Sequence, residues 1–243
     1  MSRNTLPVII AALTGTLGAG CGPERVAAPE FSKSQLPAFP SDPSGFVSGI
    51  DNPYLAFVPG RVFRYRSETA EGVETNVVEV TNQTKRILGI AATVVHDQGY
   101  LDGALVEDTF DWYAQDTQGN VWYLGEDSKQ IQNGVVVGTE GSWEAGVNGA
   151  SAGLIMLAQP KVGAQYQQEF AAGVAEDMAK VLSLSATAEV VFGAFTGCLK
   201  TEEWTPLEPG SREAKFYAPG VGLVLELQPK GGGVRNELTS IEN

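Results

Sequence analysis

Carboxylates and aromatic side chains crowd together between Ala104 and Glu126, in the run ALVEDTFDWYAQDTQGNVWYLGE. Strand alternation places Val106, Asp108, Phe110, Trp112 and Ala114 on one face, and Glu107, Thr109, Asp111, Tyr113 and Gln115 on the other. Glu107 and Asp111 are then about 13 Å apart at strand rise, too far to pair directly unless a cross-strand neighbour such as Glu126 closes the gap. Two carboxyls in one cleft, roughly 5 to 10 Å apart, are what acid/base hydrolysis of a glycosidic bond needs. Asp108 falls on the face expected to be apolar, where a carboxyl needs partners or takes a raised pKa; such groups concentrate at functional sites. A second acidic set, Glu140, Glu144, Glu169, Glu176 and Asp177, surrounds the stretch from Gly141 to Gly163, which also carries Trp143. Oxygen ligands in this number could hold calcium, although no twelve-residue calcium loop is present. The plain alternative is a set of solvated acids on the outward faces of strands.

The residue inventory removes several other chemistries. His96 is the one histidine, which rules out a zinc site built on several histidines, and at the end of an apolar strand it reads as structural rather than as the base of a serine triad. Cys198 stands among hydrophobes and reads as a small core residue. Glycines are scattered at turns, and Gly231-Gly232-Gly233 precedes a strand rather than a helix, so no phosphate-binding loop is present. The net charge of −13 argues against nucleic-acid binding.

The elements that would position these side chains are strands. Asp116-Thr117-Gln118-Gly119-Asn120 supplies the turn of a hairpin, and Val121 to Leu124 resumes the strand. Strand patterns recur through Arg61–Ser67, Val73–Thr81, Arg86–Gln98, Ile131–Gly138 and Gln165–Ala171. Beyond them come Cys198–Pro206, Arg212–Ala218, Val221–Gln228 and Val234–Ile241. Val174, Met178, Val181 and Leu182 have helical spacing, but the unbroken alternation from Leu182 to Phe192 favours a long strand after at most one helical turn. The predicted fold is mainly β: a single antiparallel β-barrel, half-barrel or sandwich of about a dozen strands over residues 46–243. Gly141–Gly163 is the exception. It reads as a lid or binding loop, or else Leu154 to Leu157 plug the end of a barrel.

The amino terminus reads as an address. Arg3 and an uncharged run from Thr5 to Gly20 describe a signal peptide over residues 1–20 rather than a membrane span. The run ends Leu17-Gly18-Ala19-Gly20-Cys21 and resembles the bacterial lipoprotein signal, although its leucine stands four rather than three positions before the cysteine. That resemblance implies lipid attachment at Cys21; an ordinary cleaved signal would leave Cys21 free to pair with Cys198. Residues 21–45 follow as a proline-rich, lipid-anchored tether. Asn52-Pro53-Tyr54, Pro59-Gly60 with Tyr65, and the run Tyr217-Ala218-Pro219-Gly220-Val221-Gly222-Leu223 resemble exported bacterial β-rich lipoprotein domains. The resemblance implies a fold and carries no activity.

Together these features predict an exported, lipid-anchored protein of the bacterial cell envelope, facing the periplasm or the cell surface. It is expected to be non-enzymatic and to bind an unknown small molecule or envelope protein, without a cofactor unless calcium is one. The candidate ligand-binding residues are Asp108, Asp111, Trp112, Trp122, Glu126, Trp143 and Glu144. If the ligand is apolar, the tryptophans and Leu154 to Leu157 would line the pocket, with carboxylates at its rim. The competing readings are an acid/base hydrolase using Glu107, Asp111 or Glu144, a calcium-binding protein, and a purely structural envelope protein with a filled interior.

Overall fold

The computed structural model of the chain describes residues 36–228 and 233–243. The signal peptide, Cys21 and the tether up to residue 35 lie outside the described residues. So too do Gly231 and Gly232.

Alternation over most of the chain produces one antiparallel sheet of fifteen strands; among the described residues the one helical element is a 3-10 turn at Pro43–Gly45. The strands are β1 (Phe46–Val47), β2 (Val62–Glu68), β3 (Val73–Ile87), β4 (Ile90–Leu101) and β5 (Ala104–Asp116). Next come β6 (Val121–Gln132), β7 (Val135–Gly138), β8 (Trp143–Glu144), β9 (Gly153–Met156) and β10 (Gln165–Gln167). The last five are β11 (Met178–Val190), β12 (Gly193–Trp204), β13 (Glu213–Ala218), β14 (Gly222–Leu227) and β15 (Arg235–Glu242). A single turn, closed by the Ala175 N–H on the Ala171 carbonyl, precedes β11, and alternation prevails over the helical spacing from Met178 onward.

Neighbours follow the order β10-β11-β12-β13-β14-β15-β2-β3-β4-β5-β6-β7, with β1 pairing β5 and both β8 and β9 pairing β6. Local turn chemistry sets much of this. Three hairpins turn on two residues that both have positive φ, Leu88-Gly89, Asp102-Gly103 and Asn133-Gly134, the geometry that matches strand twist. At the central hairpin the buried Asp116 carboxylate accepts from the amides of Gln118 and Asn120, the Asn120 side chain and the Trp122 indole, each at 2.9 Å.

The sheet is open in its hydrogen-bonded order, and its two ends are brought side by side. An isolated bridge joins Ser151 to Phe170, next to β9 and β10. Gly153 comes so close that a Cβ there would lie 2.0 Å from the Gln168 carbonyl oxygen, so only glycine fits the seam. The sheet also curls onto one face. Four strand spacings separate Glu226 on β14 from Asp97 on β4, about 19 Å along a flat sheet, yet the charge of Glu226 reaches the Asp97 carboxyl.

The Gly141–Gly163 stretch is neither a free loop nor a lid. Its residues form β8 and β9 against β6, and Leu154, Met156 and Leu157 are buried with Val121, Trp122 and Val181 at one end of the molecule. These aliphatics plug the end, as core. Leu36 and Phe39 also pack here, Phe39 edge-on to Trp122 at 5.2 Å.

Candidate functional site

Strand register carries one face around the molecule. Across β4, β5 and β6, one row holds Asp97, Thr109 and Ser128, the next Val95, Asp111 and Glu126, and a third Thr93, Tyr113 and Tyr123. On the opposite wall Glu203 stands across from Glu213, and Thr201, Lys215, Glu226 and Asn236 form a row from β12 to β15. Glu169 follows β10 and Asp177 precedes β11. This is the concave face, so the curl that closes the molecule drives carboxyls toward one another.

Most of these carboxyls are held by donors. Tyr123 Oη donates to Asp111 at 2.6 Å, Asn76 Nδ2 to Asp97 at 3.3 Å, and Trp143 Nε1 to Glu169 at 3.1 Å. Thr201 Oγ1 and Tyr217 Oη both donate to one oxygen of Glu203, at 2.7 and 3.0 Å. Lys215 Nζ lies 3.0 Å from the other Glu203 oxygen and 3.7 Å from Glu213. Thr109 and Ser128 donate to Glu107 at 3.3 and 3.2 Å. Tyr113 and Tyr123 stack at 4.7 Å, and Trp143 meets Tyr123 edge-on at 5.4 Å, which walls the carboxyls of β5 and β6 with aromatic rings.

Burial and mutual repulsion raise these acids. Burial first, then the charge of Asp111, pushes Asp97 up to about 8. Burial lifts Asp111 to about 6, although the Tyr123 hydroxyl works against it. Glu126 sits well above its ordinary value through burial and then Asp111. Burial followed by the charge of Asp177 takes Glu169 to about 8. Glu213 reaches about 9 and Glu226 about 7, in both cases through burial that outweighs Lys215. For Lys215 burial opposes the charge, but Glu203, Glu226 and Glu213 overcome it and hold the ammonium well above its usual range. Carboxyls in such surroundings bind protons, a cation, or both at neutral pH. Among the described residues no three of them converge closely enough to coordinate a metal ion as they stand.

The residues singled out by sequence separate into four places. Asp111, Glu126 and Trp143 come together on the concave wall, with Glu126 directly opposite Asp111 and beside Trp143 in register. Trp112 and Glu144 meet elsewhere through Lys85, whose Nζ lies 3.1 Å from the Trp112 ring centroid and 2.7 Å from Glu144. Asp108 lies on the convex face, 2.7 Å from His96, with Gln98 also donating to it; His96 stacks on Phe110 at 4.2 Å. Trp122 is tied to Asp116 inside the apolar plug. Cys198 is fully buried, and its pairing with Cys21 falls outside the described residues. Asp97, Glu203, Glu213, Lys215 and Glu226 were not among the sequence candidates. Their one sequence signal is a charge repeated on one parity within short apolar strands, as in Glu213-x-Lys215.

No family model matches this sequence, and neither does any curated protein. Among solved structures, that of a candidate lipoprotein from Parabacteroides distasonis is similar at a TM-score of 0.42 and 10% identity, over 79% of this chain and 99% of that one. A likeness this distant carries no argument about what the present chain does.

Proposed function

We propose that this chain is a lipid-anchored, extracytoplasmic binding protein of the bacterial envelope, and that its concave acidic chamber holds the ligand. The carrying observation is the set of carboxyls that strand register gathers on the concave face. A structural sheet has no need to place so many half-buried carboxyls on its concave face, where each is destabilising without a partner. The anchor rests on the sequence resemblance at Cys21 and on the signal-like run before it.

One experiment addresses both halves. The full chain, expressed in a bacterium with labelled palmitate, is expected to take up label and to partition with membranes, and Cys21→Ser to abolish both. Detergent-purified protein is then expected to melt at a higher temperature with at least one of four probe classes: neutral sugars, fatty acids, calcium chloride or organic amines. An unlabelled, uncleaved chain in the cytosol would overturn the anchor. A flat response to all four classes would overturn the binding role.

Acid/base hydrolysis is a second reading, favoured by the direct Asp111–Glu126 opposition and by the raised pKa of both groups. Turnover of a glycoside that is lost in Glu126→Gln would support it over binding alone.

A further inference from the structure

The concave chamber is short of positive charge. Among the described residues Lys215 is the cation paired within it, and none of Asp97, Asp111, Glu126, Glu169, Asp177 and Glu226 takes part in an ion pair. A second and independent feature points to a missing partner. Tyr166 Oη, Gln168 Nε2 and Asn236 Oδ1 are buried and make no hydrogen bond, in side chains 3%, 4% and 9% exposed. Tyr166 and Asn236 lie on the same face as the carboxyls. Tyr166 lies within the influence of Glu203, Gln168 adjoins Glu169, and Asn236 stands opposite Glu226 in register. A buried polar atom without a partner is costly enough that folded proteins rarely keep one. Here the hydroxyl of Tyr166 and the carbonyl of Asn236 have open lone pairs, the requirement of an N–H donor.

We propose that the chamber binds a linear alkyl amine with two or more ammonium groups, its charges set among the carboxyls of β4 to β6 and those of Glu169 and Asp177. The inference rests on the reading of the chamber as a binding site and names its ligand class. Lys215 is the internal precedent, an alkylammonium held 3.0 Å from Glu203 and 3.7 Å from Glu213 on the same face. Tyr113, Tyr123 and Trp143 supply the ring faces and edges against which ammonium groups and methylene chains pack. A single charge would answer one group of carboxyls and leave the other uncompensated. That is why two ammoniums fit better than one. Gln168 Nε2, itself a donor, is left to water.

Isothermal titration of the detergent-purified full chain at pH 8 tests this with spermidine, butylamine, 1,4-butanediol and calcium chloride. Spermidine is expected to bind, butylamine at least tenfold more weakly, and the uncharged diol not at all. Asp111→Asn and Glu169→Gln keep the side-chain shape and remove one charge each, so the free proteins are expected to stay folded and melt no lower than the parent. Each is expected to weaken spermidine about tenfold. Binding of calcium or the diol with no response to spermidine would overturn the amine and leave the binding role standing. Silence from all four probes, with the protein folded, would overturn the amine inference; the broader binding role falls only if the sugar and fatty-acid probes are silent as well. Equal spermidine affinity in parent and variants would place the amine outside the chamber and overturn the proposal.

Discussion

Lys215→Met is expected to lower the melting temperature by about 10 °C at pH 8 and by much less at pH 5. Methionine reproduces the bulk of the lysine stem, so lost packing contributes little. What is lost is the charge. Glu203 has 7% of its side chain exposed, and its oxygens are shared between Lys215, Thr201 and Tyr217. Removal of one partner from a buried ion pair costs about 3–5 kcal/mol, because the remaining charge stays buried and uncompensated. For a chain of this length each kcal/mol moves the midpoint by about 2–4 °C. At pH 5 Glu226, which faces Lys215 in register and is raised to about 7, is protonated and needs no cation, which limits the loss. The double variant Lys215→Met/Glu203→Gln is expected to recover most of the stability at pH 8. A single variant as stable as the parent at pH 8 would mean that water, not lysine, compensates Glu203.

The second large effect is on the pH profile of the unaltered protein. Asp97, Asp111, Glu169, Glu213 and Glu226 are all raised by burial and by one another, to between about 6 and about 9. An unfolded carboxyl titrates near 4. Between these limits the folded state therefore binds more protons than the unfolded one, and stability falls as pH rises. The contribution is fully present below about pH 4 and is lost progressively as pH passes through about 6 to 9. One extra proton held across three pH units is worth about 4 kcal/mol. The facing groups moderate this: Lys215 stabilises the ionised glutamates, and the Asn76, Tyr123 and Trp143 donors stabilise ionised Asp97, Asp111 and Glu169. Urea denaturation at pH 5.5 and pH 8.5 is expected to show a clearly lower midpoint at the higher pH. An acid-labile protein, most stable above pH 8, would show that these carboxyls are solvated and unshifted.

The contrast between what the letters disclosed and what they hid has a physical reason. The hairpin at Gly119 was legible because alternation and turn chemistry are local: Asp116, Gly119 and Asn120 lie within five residues and dictate the reversal. The mainly β architecture followed from the same local rule repeated along the chain. Alternation also sorted residues into faces correctly, as with Glu107, Thr109 and Asp111 against Asp108 and Trp112. It could not say which face becomes concave, because curl depends on how fifteen strands accumulate twist and meet at Gly153. The apolar face of β5 was expected inside. It is instead the convex face, buried only where the segments around Phe39, Phe46 and Ala145 to Ala150 cover it. Val221 to Leu227 shows the same limit: Val221, Leu223, Leu225 and Leu227 alternate along it, yet Glu226 between them turns to the concave face and is 5% exposed. The far wall was hidden because Glu203, Lys215 and Glu226 come from three strands and form a group only through register.

The central claim is that the concave face is a chamber whose carboxyls stay protonated, or held by a cation, near neutral pH. Carbon-13 NMR of the side-chain carboxyls of the full chain, free of added amine and titrated from pH 3 to pH 10, reads this directly. The account predicts several resonances with midpoints above pH 6, and their number is expected to fall in Asp97→Asn and Glu169→Gln. A spectrum in which every carboxyl titrates below pH 5 would contradict it.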